Sequence, residues 1–131
     1  MREILFRGKT TIIERWAVGD LLQWSGGDMC ICEELNPTEK NKYGVIPETV
    51  GQYTGLMDKS GKKIFEGDIV AGALTWMGKK KNGLVAFKDG SFGLIWYRGS
   101  IEQFNVFTSM CNIEYEIIGN IYDDPELLKG E

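Results

Sequence analysis

Two apolar runs, Leu84-Val85-Ala86-Phe87 and Phe92-Gly93-Leu94-Ile95-Trp96-Tyr97, are separated only by Lys88-Asp89-Gly90-Ser91. An Asp-Gly pair between apolar runs is among the strongest local signals for a tight hairpin, because both residues tolerate the positive φ of a two-residue turn. Similar punctuation recurs along the chain. Ser25-Gly26-Gly27-Asp28 closes the run from Trp16 to Trp24, and Met29-Cys30-Ile31-Cys32 reads as its return strand. Asp58-Lys59-Ser60-Gly61 is a turn in which the aspartate hydrogen-bonds ahead and the glycine supplies the positive φ. Seventeen glycines against three prolines in 131 residues fit the same scheme of many short strands joined by tight turns.

The expected fold class is therefore mainly β: an N-terminal β-unit over residues 1–44, a connection over 45–66, and a small SH3-like barrel with a short terminal helix over 67–131. Residues 33–44 are polar and rich in breakers, and read as a loop at the subdomain boundary. In the connection, Pro47 with Glu48 beside it opens at most one helical turn, and the glycines that follow favour extended backbone. From Asp68 onward, a strand, a long excursion and a tightly turned hairpin give the order of an SH3-like barrel, an analogy of fold that carries no function. Residues 101–107 fit a strand or a short helix, whereas Ile113 to Ile118 alternates as a half-buried strand. Asp124 and Pro125 are placed as the N-cap and first residue of a terminal helix whose Leu127 and Leu128 dock on the body. Gly19-Asp20 and Gly67-Asp68 each precede an apolar pair, an echo for which chance in a glycine-rich chain is the simpler account.

The chain has no histidine, which removes the commonest general base, nucleophile-activating partner and zinc ligand together. Ser–His and Cys–His catalysis, Cys₂His₂ zinc sites and HExxH proteases are excluded. The net charge of −4 is unevenly spread: residues 113–131 hold one basic and six acidic side chains, and residues 67–112 hold five basic and three acidic. An anionic partner would thus meet the middle of the chain, although the acidic whole disfavours a uniformly basic nucleic-acid binder. Cys30, Cys32 and Cys111 are an odd set that makes no secreted-type disulfide framework. No apolar h-region follows Met1, and no stretch approaches a membrane span, so a cytoplasmic chain with reduced thiols is expected.

Residues 46–70, IPETVGQYTGLMDKSGKKIFEGDIV, resemble the signature region of the YopX family, most clearly in TVGQYTGL, the Asp58/Gly61 turn and EGDIV. The opening MREILFRG and the closing Tyr115–Tyr122 and Pro125–Leu128 segments resemble that family's ends, with residues 33–44 and 72–83 left as variable loops. The resemblance implies a small, mostly β protein encoded in phage or prophage genomes and acting in the host cytoplasm. It brings no catalytic, cofactor or ligand residue with it.

Four groups of residues invite a functional reading. Glu48, Asp58, Glu66 and Asp68 could together hold a divalent cation, but turns and strand entries use carboxylates routinely, and no metal, cofactor or catalytic residue is assigned. Thr49, Gln52, Tyr53 and Thr54, set between glycines, form either a signature binding surface or a set of structural hydrogen bonds, the latter favoured. Lys79, Lys80 and Lys81 with Trp76, Trp96 and Arg98 are the pattern of a basic groove with aromatic platforms for single-stranded nucleic acid; a solvated lysine loop above an aromatic core is the plainer reading. Cys30 and Cys32 share one strand face and read as buried structural thiols. The leading expectation is a non-enzymatic module that binds a protein partner. Nucleic-acid binding through residues 76–98 is the alternative, no membrane is involved, and the edges of small sheets leave self-association open.

Overall fold

The computed structural model describes residues 2–12, 14–36, 39–74, 80–107 and 115–128, with the side chains of 34–36, 39–40 and 73–74 set aside. Eleven strands are described: β1 (Phe6–Lys9), β2 (Trp16–Gln23), β3 (Met29–Asn36), β4 (Glu39–Val45), β5 (Gly51–Met57), β6 (Lys63–Phe65), β7 (Asp68–Leu74), β8 (Lys80–Lys88), β9 (Ser91–Arg98), β10 (Ile101–Val106) and β11 (Glu116–Asn120). Two short 3₁₀ turns, Pro47–Thr49 and Pro125–Leu128, are the helical elements among the described residues. The chain is thus mainly β. It divides into two compact units, Met1–Gly55 and Leu56–Glu131, and the division falls within the 45–66 segment.

In the first unit the strands hydrogen-bond in the order β4-β3-β2-β1-β5. Ala17, Ile31 and Val45 form its buried centre, with Phe6, Leu21, Met29, Tyr43 and Val50 packed around them. The end of β4 is drawn back to the chain beyond β1. Thr10 and Val45 form an antiparallel bridge, Thr11 N–H donates to Gly44 O at 3.0 Å, and Ile46 N–H donates to Lys9 O at 2.9 Å. Gly8 makes this approach feasible, since a Cβ there would lie 2.9 Å from Val45 Cβ. The segment 33–44, expected as a loop, is instead the β3–β4 hairpin, whose register runs from Met29↔Val45 to Asn36↔Glu39. Its polarity belongs to an outer strand: backbone pairing needs no apolar side chains where a face meets water.

The second unit begins where β5 crosses Gly55, with β6 lying beside it, and continues as a five-stranded antiparallel sheet in the order β10-β9-β8-β7-β11. Its core is Ile64, Val70, Val85, Leu94 and Tyr115, supported by Leu56, Phe107 and Ile117. The Asp-Gly turn forms as its chemistry demands, with Asp89 at φ 52° and Gly90 at φ 82° joining β8 to β9. Residues 101–106 resolve as strand, because β10 pairs with β9 over its whole length. Two expectations are corrected. The SH3-like barrel does not close: β10 and β11 stand at opposite ends of an open sheet. The terminal helix is, over the described residues, only the 3₁₀ turn Pro125–Leu128, a single turn of the kind that is used in short pieces. The Asp124 carboxylate accepts the Asn120 N–H behind it at 3.2 Å.

Candidate functional site

Two of the four carboxylates singled out in the sequence, Asp58 and Asp68, are turned onto the main chain of their own unit, whereas Glu48 is exposed and Glu66 half-buried. Asp58 Oδ1 accepts the N–H groups of Ser60 and Lys62, both at 2.9 Å, and Oδ2 accepts that of Ile117 at 3.0 Å. One side chain thereby closes the 58–61 turn and pins it to β11. Burial alone would raise the Asp58 carboxyl, but the amides of Ile117, Lys62 and Ser60 outweigh it and hold it below the ordinary carboxylate range. Asp68 is 1% exposed, and its Oδ2 accepts Phe65 N–H at 2.8 Å across the Glu66-Gly67 turn. Gly67, at φ 92°, packs so closely that a Cβ would meet the Tyr122 ring at 2.9 Å. Among the described residues, no group of three or more His, Cys, Asp or Glu side chains is placed to hold a metal.

Of the polar run, Thr49 is buried and does two things: its hydroxyl donates to Ile46 O at 2.6 Å and accepts Lys9 N–H at 2.9 Å. It therefore ties the Pro47–Thr49 turn to β1. Tyr53 is buried and its N–H donates to Leu5 O at 2.8 Å. Gln52 pairs with Phe6 across β5 and β1, and Gln52 and Thr54 are half-buried.

The basic and aromatic set separates. Trp76, Lys79 and Cys111 lie outside the described residues. Lys80 and Lys81 start β8 and Arg98 ends β9, so the hairpin brings these three to one end of its sheet. Lys80 and Arg98 are exposed, and Lys81 Nζ donates to Tyr97 O at 2.8 Å. Trp96 belongs elsewhere: it is 3% exposed and offers no platform to a base. Cys30 and Cys32 are buried free thiols, and burial followed by the neighbouring Cys32 raises the Cys30 thiol above its ordinary range. That is the environment of an inert cysteine.

A feature that residue types alone did not signal is the outer edge of β10. Phe107 N–H donates inward to Phe92 O at 3.1 Å. Because the register is unbroken from Ile101↔Arg98 to Val106↔Gly93, antiparallel alternation turns the amides and carbonyls of Glu102, Phe104 and Val106 outward. Ile101 is 61% and Val106 52% exposed. Gly93 on β9 makes room for the Phe104 ring, whose atoms approach within 2.6 Å of where a Cβ would be. Lys88 joins this face through an ion pair to Glu102 at 3.2 Å. The only advance sign was the ambiguous periodicity of IEQFNVF.

The comparisons agree with this fold. The chain superposes on the crystal structure of protein EF1440 from Enterococcus faecalis with a TM-score of 0.57 at 21% identity, covering 98% of this chain and 100% of that one. It superposes on the X-ray structure of protein yopX from Bacillus subtilis with a TM-score of 0.58 at 20% identity, covering 100% and 99%. At these identities the likeness is one of fold. A search of the curated proteins finds no match. The family model described as YopX protein matches residues 5–129, and the chain belongs to the YopX family.

Proposed function

We propose that this chain is a non-catalytic binding module, encoded in a phage or prophage and acting in the bacterial cytoplasm, that takes an extended segment of a protein partner onto β10. The observation that carries the reading is the open edge just described: three outward backbone positions flanked by exposed Ile101 and Val106. Such an edge is a ready template for strand addition, with main-chain hydrogen bonds supplying affinity and alternate side chains supplying specificity. The non-catalytic part of the reading is supported by Asp58 and Asp68, whose carboxylates are committed to backbone amides rather than gathered at a pocket.

Val106→Pro tests this reading, because proline removes one outward N–H while an edge strand tolerates its ring. Capture from infected cells with the intact chain should recover a partner that the variant fails to recover, with the thermal midpoint nearly unchanged. Equal recovery by both chains would count against β10. The nucleic-acid alternative keeps Lys80, Lys81 and Arg98 at one end of the sheet but loses the stacking platform of the buried Trp96.

A further inference from the structure

In the unit Met1–Gly55, the β2–β3 hairpin ends in a turn closed by main-chain bonds. Trp24 N–H donates to Asp28 O and Gly27 N–H to Trp24 O, both at 3.0 Å, with Gly27 at φ 98°. This is the bonding of a three-residue hairpin loop with a glycine bulge. The register of the strands, Leu22↔Cys30 and Gln23↔Met29, thus continues to Trp24 opposite Asp28. Their side chains stand next to each other on the face that also carries Leu22 and Cys30. The Trp24 ring is 53% exposed and Asp28 is exposed. Among the described residues, neither side chain makes a hydrogen bond or an ion pair.

Cys30 in turn pairs with Gly44 of β4, where the missing side chain keeps the same face low. The far side is fixed by Thr11, whose N–H donates to Gly44 O and whose hydroxyl would lie 3.3 Å from a Cβ at Gly44. Together Thr11, Trp24, Asp28, Cys30, Gly44 and their neighbours line a cavity of about 640 Å³, a size usual for ligand sites. Asp28 is the single acidic residue among the described residues that line it, and no lysine or arginine is among them.

We infer that this cavity is an organic-cation site, taking an ammonium or guanidinium group on an aliphatic stem against Trp24 and Asp28. An indole face attracts a cation, and a carboxylate gives it a charge-assisted hydrogen bond. Cys30, Met29 and Val45 in the lining suit the apolar stem. The chain's net charge of −4 favours the approach of a cation. Two sources share this chemistry: a basic side chain of a peptide and a free alkyl amine or guanidine. The site rests on nothing argued for β10, so either can fail without the other.

The test is NMR of the full chain at low salt, following the Trp24 indole N–H and the backbone amides. Separate arms are titrated with n-butylguanidinium, with the blocked tripeptide Gly-Arg-Gly, and with its neutral counterpart Gly-Gln-Gly. Shifts in the two cationic arms should gather at residues 11, 24–30 and 44–45. Asp28→Asn should weaken cation binding about fivefold, the worth of a partly solvated charge pair, and Trp24→Leu about threefold. Asp28→Glu, which keeps the charge, should retain most of the binding. Glu48→Gln, which removes an exposed carboxylate outside the cavity, should leave it unchanged. Butylguanidinium that binds as tightly as the arginine peptide assigns the site to a free small cation. Tighter binding of the peptide assigns it to a basic segment of a protein. Equal shifts with the glutamine peptide, an affinity indifferent to Asp28→Asn, or no shift in either cationic arm would overturn the inference.

Discussion

The two units manage the ends of their sheets in opposite ways. In Met1–Gly55, β4 is stitched back to the chain beyond β1 by the Thr10↔Val45 bridge and the flanking bonds of Thr11 and Ile46. In Leu56–Glu131, the sheet ends at β10 with no further strand beside it among the described residues, and the buried carboxylates of Asp58 and Asp68 fasten its turns to backbone amides. An edge left unpaired in a sheet is available for pairing, and the proposed docking on β10 is built on this difference between the units. The residues that carry the family resemblance follow the same division of labour. Thr49 secures a turn in the first unit, while Asp58, Gly67 and Asp68 secure turns in the second.

The sharpest way to break this contrast is Asp58→Ala. It removes the acceptor of the part-buried amides of Ser60, Lys62 and Ile117, and should cost about 2 to 3 kcal/mol, up to roughly 1 kcal/mol for each bond. Chemical denaturation gives the total. Hydrogen exchange should place the loss in residues 56–65 and 115–120 and spare β2 and β3. Exchange that rises equally in both units would remove the distinction.

Next in size is a matched pair of glycine substitutions. A Cβ at Gly19 would lie 2.1 Å from Cys32 O, and one at Gly93 would lie 2.3 Å from Asn105 O. Each forces neighbouring strands apart and should cost about 2 kcal/mol. The consequences differ by position. Gly19→Ala separates β2 from β3 inside a stitched sheet and should lower the global midpoint, whereas Gly93→Ala should mainly release β10. Proteolysis followed by mass spectrometry distinguishes the two, with new cleavage near residues 99–107 expected only for Gly93→Ala.

Acid tests both units through one carboxylate each. Asp58 is held low as described, and Glu33 is likewise held low: burial would raise it, but the Val18 amide and Arg15 prevail. A depressed folded value means the stabilisation is complete above the unfolded values of about 3.9 and 4.3, and is lost as pH falls through the folded ones. The midpoint contribution of these groups should therefore be flat from about pH 6 to 5 and fall below about 4. Asp58→Asn should flatten most of the decline. Glu33→Gln should change little, about 0.5 kcal/mol, because its partner Arg15 is partly solvated.

Much of the local structure is legible in the residues: the Asp89-Gly90 turn, the Asp58 turn and the extended backbone after Pro47 all follow from side-chain chemistry and φ preference. What was not legible is non-local. Whether β10 and β11 meet to close a barrel depends on pairing between segments far apart, and nothing in either run encodes it. The β3–β4 hairpin was hidden because Lys42 and Glu33 look like loop residues. Arg15 stacking 4.4 Å from the Tyr43 ring, and Asn41 donating to the Tyr43 hydroxyl, show how such a polar strand is nonetheless held. Trp96 looked like a platform by type, but strand alternation placed it inside. Thr11, Trp24 and Gly44 lie far apart in sequence and only the fold brings them to one cavity.

The account rests most heavily on the free edge of β10, and residue-resolved hydrogen exchange of the isolated chain reads it directly. The amides of Glu102, Phe104 and Val106 should exchange rapidly while those of Gln103, Asn105 and Phe107 are protected by β9, an alternation that a bound partner should abolish. Slow exchange at all six positions in the isolated monomer would show the edge already occupied, and would contradict its role as a docking strand.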